Sequence, residues 1–429
     1  MANIKKHADK ILTFQQAVIQ AQTVDPWLTG NRYQQQALES LSIAAKTLPD
    51  PKISIGIVNL ATDTLRFQQE PITQFTVGIS QNLSRGDTLS LRNKQLKAES
   101  TQYPFLRQNR KAQVTLTVGK LWLNAYKMQQ SILLIEQSKN LFEQLIDVAE
   151  TRYSSTVGKV QQQDIISAEL ALSRIDDKLL QLSQHKQNYL GQLNQWLIKE
   201  EDDTSSFNKP SSNISTTLLS AQLPNIILEN KALVLAQRQY SHADVVTYFA
   251  THPAIVALDK KIQSVTFNKK LAQQKYQPEW SVNARYGYRG DDTLNNDRSD
   301  LFSVGITFDV PLFTKNKQDQ QLSAAVSNIE AVKTEKQLLL RQLLGAFSSA
   351  KGRLLELNKR QLLYESKLLS QLHQQAEITL SAYTNDSGDF GDIVHARIEE
   401  LDATIDHLSI KVEQQKLYLE LNYLFNHRQ

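Results

Sequence analysis

No cysteine occurs among the 429 residues, which excludes disulfides, thiolate chemistry and a lipidated cysteine and leaves the compartment open. Methionine is nearly as scarce, at two including the first residue, and the eight histidines are scattered, so no soft-metal site can be assembled. No apolar run approaches the roughly 18 to 20 residues of a spanning helix, so any membrane crossing falls to strands. The 48 basic and 44 acidic residues are interspersed and leave a net charge of only +4, which gives nucleic acid nothing to bind. Met1 to Lys10 has no apolar core and is no signal peptide; the expectation for an exported protein is that the signal has been removed. Gly158-Lys159 lacks the preceding glycine of a phosphate loop, and there is no zinc-protease, nucleophile-elbow or dinucleotide signature. The chain is therefore expected to be no enzyme, with no cofactor and no resident metal.

What is present is alternation. After Pro278, Trp280, Val282, Ala284, Tyr286 and Tyr288 alternate with Ser281, Asn283, Arg285 and Gly287. Phe302, Val304, Ile306, Phe308 and Val310 then alternate with Ser303, Gly305, Thr307 and Asp309. Period two over nine or ten residues predicts two strands, each about long enough to cross a bilayer when tilted. Alternation alone favours a half-buried hairpin of a soluble sheet, because the barrel signal per strand is weak. A second copy reverses the balance. Pro51 precedes Ile53, Ile55 and Ile57, which alternate with Ser54 and Gly56, and Phe75, Val77 and Ile79 alternate with Thr76, Gly78 and Ser80. Pro51 and Pro278 lie 227 apart, as do Gly78 and Gly305, and Pro26 and Pro253. The chain is two similar halves.

In order, residues 1–49 read as N-terminal helices, Leu12 to Val24 and Asn31 to Thr47, stopped by Leu48-Pro49-Asp50-Pro51. Residues 50–84 form the first strand hairpin. Residues 85–199 read as a first long helical hairpin, with helix from Leu89 to Thr151 interrupted in composition only by Pro104, a reversal at Tyr153 to Val160, and a return from Gln163 to Lys199. Some 65 residues of helix would extend about 100 Å. Residues 200–250 are a linker, polar to Pro224 and helically periodic from Ile226 to Phe249. Residues 251–277 form the helix of the second repeat, 278–313 the second strand hairpin, and 314–426 the second helical hairpin, reversing at Thr384 to Gly391. The linker and both termini are expected to pack as an equatorial region around the middle of the long helices.

Four strands cannot close a barrel, and an open edge in hydrocarbon leaves backbone groups unpaired. Three copies give twelve strands, an allowed even number, and bring twelve helices into a second tube. The expected fold class is thus an α+β membrane protein, a trimeric 12-stranded transmembrane β-barrel continued by a 12-helix α-barrel. Ser54, Gly56, Thr76, Ser281, Asn283, Arg285, Ser303, Thr307 and Asp309 would line its lumen.

The repeat, the proline before each first strand, the long hairpins and the tip sequences together resemble the TolC-like outer-membrane efflux protein family over nearly the whole chain. Pro49 to Leu60 (Pro-Asp-Pro-Lys-Ile-Ser-Ile-Gly-Ile-Val-Asn-Leu), Glu70-Pro71 and Val77 to Leu83 are similar to the subgroup serving heavy-metal cation exporters of the resistance-nodulation-division class. The resemblance implies a passive homotrimeric duct in the outer membrane of a Gram-negative bacterium, surrounded by outer-membrane lipid and reaching into the periplasm. There it would meet a periplasmic adaptor (membrane fusion protein) and an inner-membrane pump. Drug efflux and type I protein secretion are the rival cargoes, and a soluble coiled-coil scaffold is the rival from another class.

Mechanism is expected at the hairpin tips. In the first, Arg152-Tyr153 precedes Gly158, Lys159 and Val160, with Asp164 beyond; in the second, Tyr383 precedes Asp386, Gly388, Asp389, Phe390 and Asp392. The aspartates can simply cap the return helices. In the family the tip holds the pore closed and nearby acids bind cations, so that three copies of Asp392, with Asp386 and Asp389, would form a ring. The family's second acidic position one turn on is His395 here, and the tip glycine stands nearer the aspartate than usual. Gly158, Lys159, Val160, Gly388 and Phe390 are the expected adaptor contacts, with packing between hairpins the alternative for Val160 and Phe390. Asp291, Asp292, Asp297 and Asp300 fit no calcium loop and read as a solvated turn.

Overall fold

A computed structural model describes residues 11–154, 162–198, 218–235, 242–294, 296–385 and 387–425. The chain divides into two compact units, one comprising Met1–Leu28, Gln108–Pro253 and Leu340–Gln429, the other Thr29–Arg107 and Ala254–Leu339. Among the described residues no helix is long and apolar enough to cross a membrane.

Helix α1 (Phe14–Val24) opens on a capping box, in which Thr13 Oγ1 accepts from Gln16 N and the Gln16 side chain accepts from Thr13 N. Helix α2 (Pro26–Ala44) begins five residues before the expected Asn31. Pro26 lacks only an amide hydrogen that a first helical position cannot use, and Asp25 accepts from Trp27 N at 3.1 Å. Strands β1 (Lys52–Val58) and β2 (Gln74–Leu83) follow. The expected long helix is in fact two, α3 (Thr88–Ser100) and α4 (Tyr103–Ser154). Pro104 explains the break, since its ring and missing N–H are tolerated only in a first turn. The return helix is α5 (Gln162–Leu197).

Among the described residues, the periodicity expected from Ile226 to Phe249 yields two short helices, α6 (Lys231–Leu235) and α7 (His242–Phe249). The preceding backbone is taken up by side chains instead. Gln415 Oε1 accepts from Ile226 N at 2.9 Å, Asn422 Oδ1 accepts from Glu229 N at 2.8 Å, and Asn422 Nδ2 donates to Ile227 O at 2.7 Å. Helix α8 (Pro253–Gln274), strands β3 (Trp280–Tyr288) and β4 (Leu301–Phe308), α9 (Gln318–Leu363), a π-helical turn (Tyr364–Leu368), α10 (Leu369–Thr384) and α11 (Phe390–Leu424) complete the chain. The 227-residue repeat is visible in the elements, with α8 matching α2 and β4 matching β2 residue for residue at their starts.

One core lies in the first unit, where Trp122 stacks on Tyr126 and meets Phe14 edge-on. There part of the linker packs against the N-terminal segment and α4. Leu12 and Leu219 form a parallel bridge, the Trp122 indole donates to Leu12 O at 3.2 Å, and Gln129 Nε2 donates to Leu219 O at 3.0 Å. Arg110 is ion-paired with the buried Asp25 at 2.7 Å while its guanidinium faces the rings of Trp27 and Trp196, a cation–π arrangement that shields the pair from water.

In the second unit the four strands form one antiparallel sheet in the order β1-β2-β3-β4. Its register aligns the alternation across strands, in rows such as Ile53–Ile79–Ala284–Val304 and Ile55–Val77–Tyr286–Phe302. One face is apolar except for Gln81, whose amide turns back to Pro49 O at 2.7 Å. That face is uncovered, with Ile53 71% and Phe302 70% exposed. Aromatic side chains mark both of its ends, Trp280 against Phe308 at one, and Tyr286 with Tyr288, the latter stacked on Phe67, at the other.

Candidate functional site

The described residues expected to be functional fall in two sets, one on each unit. The first is the polar face of the sheet. Ser281 lies between Asn82 and Thr307, Asn283 between Ser80 and Gly305, and Arg285 between Gly78 and Ser303, and with Ser54, Gly56 and Thr76 these put every expected lumen residue but Asp309 on this one face. The face is kept low by glycine. A Cβ on Gly305 would stand 2.5 Å from Asn283 Oδ1, and one on Gly78 2.7 Å from Ser54 Oγ, so the repeated glycine is where a neighbouring polar side chain lies flat. Thr76 is buried and donates to Gly56 O at 3.2 Å, which makes it part of the wall rather than of the free surface. Asp309 departs from expectation. It lies one residue past β4, accepts from Glu279 N at 2.6 Å and is paired with Arg85, so it fastens the base of the sheet.

The second is the tip of the α10–α11 hairpin. Chain reversal is set by Ser387 N donating to Ala382 O at 2.9 Å and Asn385 N donating to Ser381 O at 3.1 Å. Gly388 suits the close approach, since a Cβ there would lie 3.0 Å from Tyr383 N. Asp389 is the N-cap of α11, its carboxylate accepting from Gly391 N at 2.9 Å, as the structural alternative held. Asp392 and His395 are exposed on the first turns of α11, and Asp392 sits where the helix N-terminus favours an anion.

Tyr383 and Phe390 do not face solvent. Their rings meet edge-on at 5.6 Å inside a core shared with Ile135 and Phe142 of α4, Ala168, Ala171 and Ile175 of α5, and Ile393, Val394 and Leu401 of α11. Phe390, 1% exposed, is therefore withdrawn as a surface contact for an adaptor, and the packing alternative holds. The reason is local. Position one of α11 points inward wherever Ile393 and Val394 do, one helical turn on. Gly158, Lys159, Val160 and Asp386 lie outside the described residues, as do the side chains of Arg152, Tyr153 and Asp164.

Sequence reasoning missed the ionic clasp above this tip. Arg397 donates to Glu377 of α10 at 2.6 Å and to Glu400 at 2.8 Å, and His373 Nδ1 lies 2.6 Å from Glu400. The hydrogen bond from Arg397, followed by its charge, holds the Glu377 carboxyl below the ordinary glutamate range. Further along, the π-helical turn presents Glu365 to His407 Nε2 at 3.1 Å, while the Tyr364 ring lies flat against His407. Hydrogen bonds from Gln361 and then His407 hold Glu365 low as well. Only the Arg397–Glu400 pair has a helical spacing that the sequence could have offered; the partners across helices lie 20 to 42 residues apart with no fixed spacing.

In the β3–β4 loop, Asp292 accepts from Leu294 N, Asn296 N and Asn296 Nδ2, a local turn that uses up its oxygens. Among the described residues no group of three or more histidines and carboxylates could hold a metal.

No protein-family model matches the sequence, and no curated protein matches it either. Solved structures do. The outer-membrane channel OprN aligns with a TM-score of 0.75 at 13% identity, covering 97% of this chain and 90% of that one. CusC, whose conformational changes accompany folding and transmembrane channel formation, aligns at 0.74 and 13% identity over 97% and 92%. The CmeC outer membrane channel of Campylobacter jejuni aligns at 0.70 and 14% identity over 96% and 85%. Through likeness to these structures along nearly its whole length, the chain has the fold of the outer-membrane channels.

Proposed function

We propose that the protein is the outer-membrane channel of a tripartite efflux system, a passive homotrimeric duct that takes cargo from a periplasmic adaptor and a resistance-nodulation-division pump to the exterior. The observation that carries this reading is the sheet: a bare apolar face bounded by aromatic rims, and two open edges, β1 and β4. Lipid satisfies the face, and only further strands satisfy the edges, since each unpaired backbone group in hydrocarbon costs several kcal/mol. Three copies close a twelve-stranded barrel, and the polar face then lines water.

In this reading the tip of the second hairpin forms the periplasmic gate. Asp392, with Asp386 and Asp389, supplies the acidic ring, Tyr383 holds the hairpin's shape from within, and Gly388 with Gly158, Lys159 and Val160 meets the adaptor. Metal cations are the proposed cargo, on the likeness of residues 49–60 and 77–83 to the metal-exporter subgroup, with drugs or a secreted polypeptide as the alternatives.

The test is the mass of the full-length protein in detergent together with its conductance in a planar bilayer. A trimer that carries current is expected. A monomer or dimer that stays soluble without detergent and passes no current would overturn the duct and leave a scaffold in its place.

A further inference from the structure

The four strands contain no aspartate or glutamate and only two basic residues, Lys52 at the start of β1 and Arg285 in the middle of β3. Both lie on the polar face. Arg285 is flanked across the register by Gly78 and Ser303, and beyond Gly78 by Ser54, so its guanidinium is the one long side chain in its row. Lys52 belongs to the adjacent row, with Ser80, Asn283 and Gly305. Arg285 is exposed, and among the described residues neither it nor Lys52 makes an ion pair. Three of the carboxylates at the sheet's ends are already engaged. Glu279 and Asp309 pair with Arg85, while Asp300 accepts from Arg289 N at 2.9 Å and from the Tyr286 hydroxyl.

Resting on the duct reading, which makes this face the lumen, we infer that three copies of Arg285, reinforced by Lys52, form a cationic ring inside the barrel that binds anions. A guanidinium keeps its charge at every pH the protein meets, and its fork matches the oxygens of phosphate-like and carboxylate groups. Rings of arginine or lysine select anions in pores. Its own row holds only serine and glycine, and the rows on either side add uncharged side chains and Lys52, so that, walled by low-dielectric barrel and lipid, the ring concentrates counter-ions with no acid in the strands to compete. Cargo therefore crosses the barrel most readily as an anion or with its positive charge complexed, and a bare divalent cation meets repulsion there. The acidic gate proposed at the hairpin tip is a separate element of opposite sign.

The experiment is block of single-channel current in planar bilayers by inorganic pyrophosphate, added to each compartment in turn, for the wild-type protein, Arg285→Gln and Arg285→Lys. Trimer mass and open-channel current report that each variant has assembled. Wild type is expected to be blocked from one compartment, with the block weakened about tenfold or more in Arg285→Gln, retained in Arg285→Lys and reduced by added salt. Equal block of wild type and Arg285→Gln, or no block of a conducting wild type from either side, would overturn the ring and leave the duct standing. A wild-type protein that never conducts would remove the duct, and the ring with it.

Discussion

Phe390 shows how much one side chain at the tip holds. Its ring fills the space between Tyr383, Ile393 and the helices of the other hairpin. Phe390→Ala is expected to cost about 3 kcal/mol and to speed amide hydrogen exchange from Tyr383 to Val394 ahead of the rest of α11. Uniform exchange across the hairpin would contradict it. Glu377 acts through charge. Its carboxyl titrates below the ordinary glutamate range, first because Arg397 donates to it, so its contribution is complete above the unfolded value and disappears as pH falls through the lower native one. The α10–α11 clasp should therefore loosen as pH drops below about 4, read as rising proteolysis between Glu377 and Arg397, and an Arg397→Gln variant should show no such pH step. At Asp392, exposed and free of the capping duty that Asp389 performs, alanine is expected to raise conductance and weaken block by divalent cations. An unchanged single-channel record would remove it from the proposed gate.

At the scale of elements, the sheet depends on which face meets what. Val304 sits in the middle row of the apolar face, with Ile53, Ile79 and Ala284, so in the proposed barrel Val304→Arg places a charge against lipid at about 2 to 4 kcal/mol near the bilayer midplane. Loss of the folded trimer from detergent extracts is expected, while Ser303→Arg, one residue along on the polar face, should assemble. The strands were legible in the sequence because period two is short-range and was written twice, so Pro51, Gly78 and their copies located all four strands, the largest miss being the end of β2 at Leu83 where the alternation ran only to Ser80. The break before Tyr103 was half legible, through Pro104 alone. The burial of Phe390 was not legible, because glycine and acid on either side of it look like an exposed turn, and the side chains that cover it come from α4, α5 and α10. The π-helical turn and the link from Arg397 to Glu377 were equally hidden, since each involves a partner helix; only the Arg397–Glu400 pair is local.

Over the whole molecule, the feature with the widest reach is the open-edged sheet. A chain that keeps two strand edges and a bare apolar face cannot reach its final stability alone, so in the proposed trimer folding and assembly are one reaction. Genetics should register this. A copy damaged in β1 or β4 still offers one sound edge, enters mixed trimers and spoils two intact partners, whereas a copy that never forms the sheet is simply lost. Co-expressing wild type with an edge-strand variant should therefore depress channel number well below half, while co-expression with a chain truncated before Pro51 should leave it near the wild-type level. Mutations in this protein are expected to be dominant or silent according to whether they leave an edge intact.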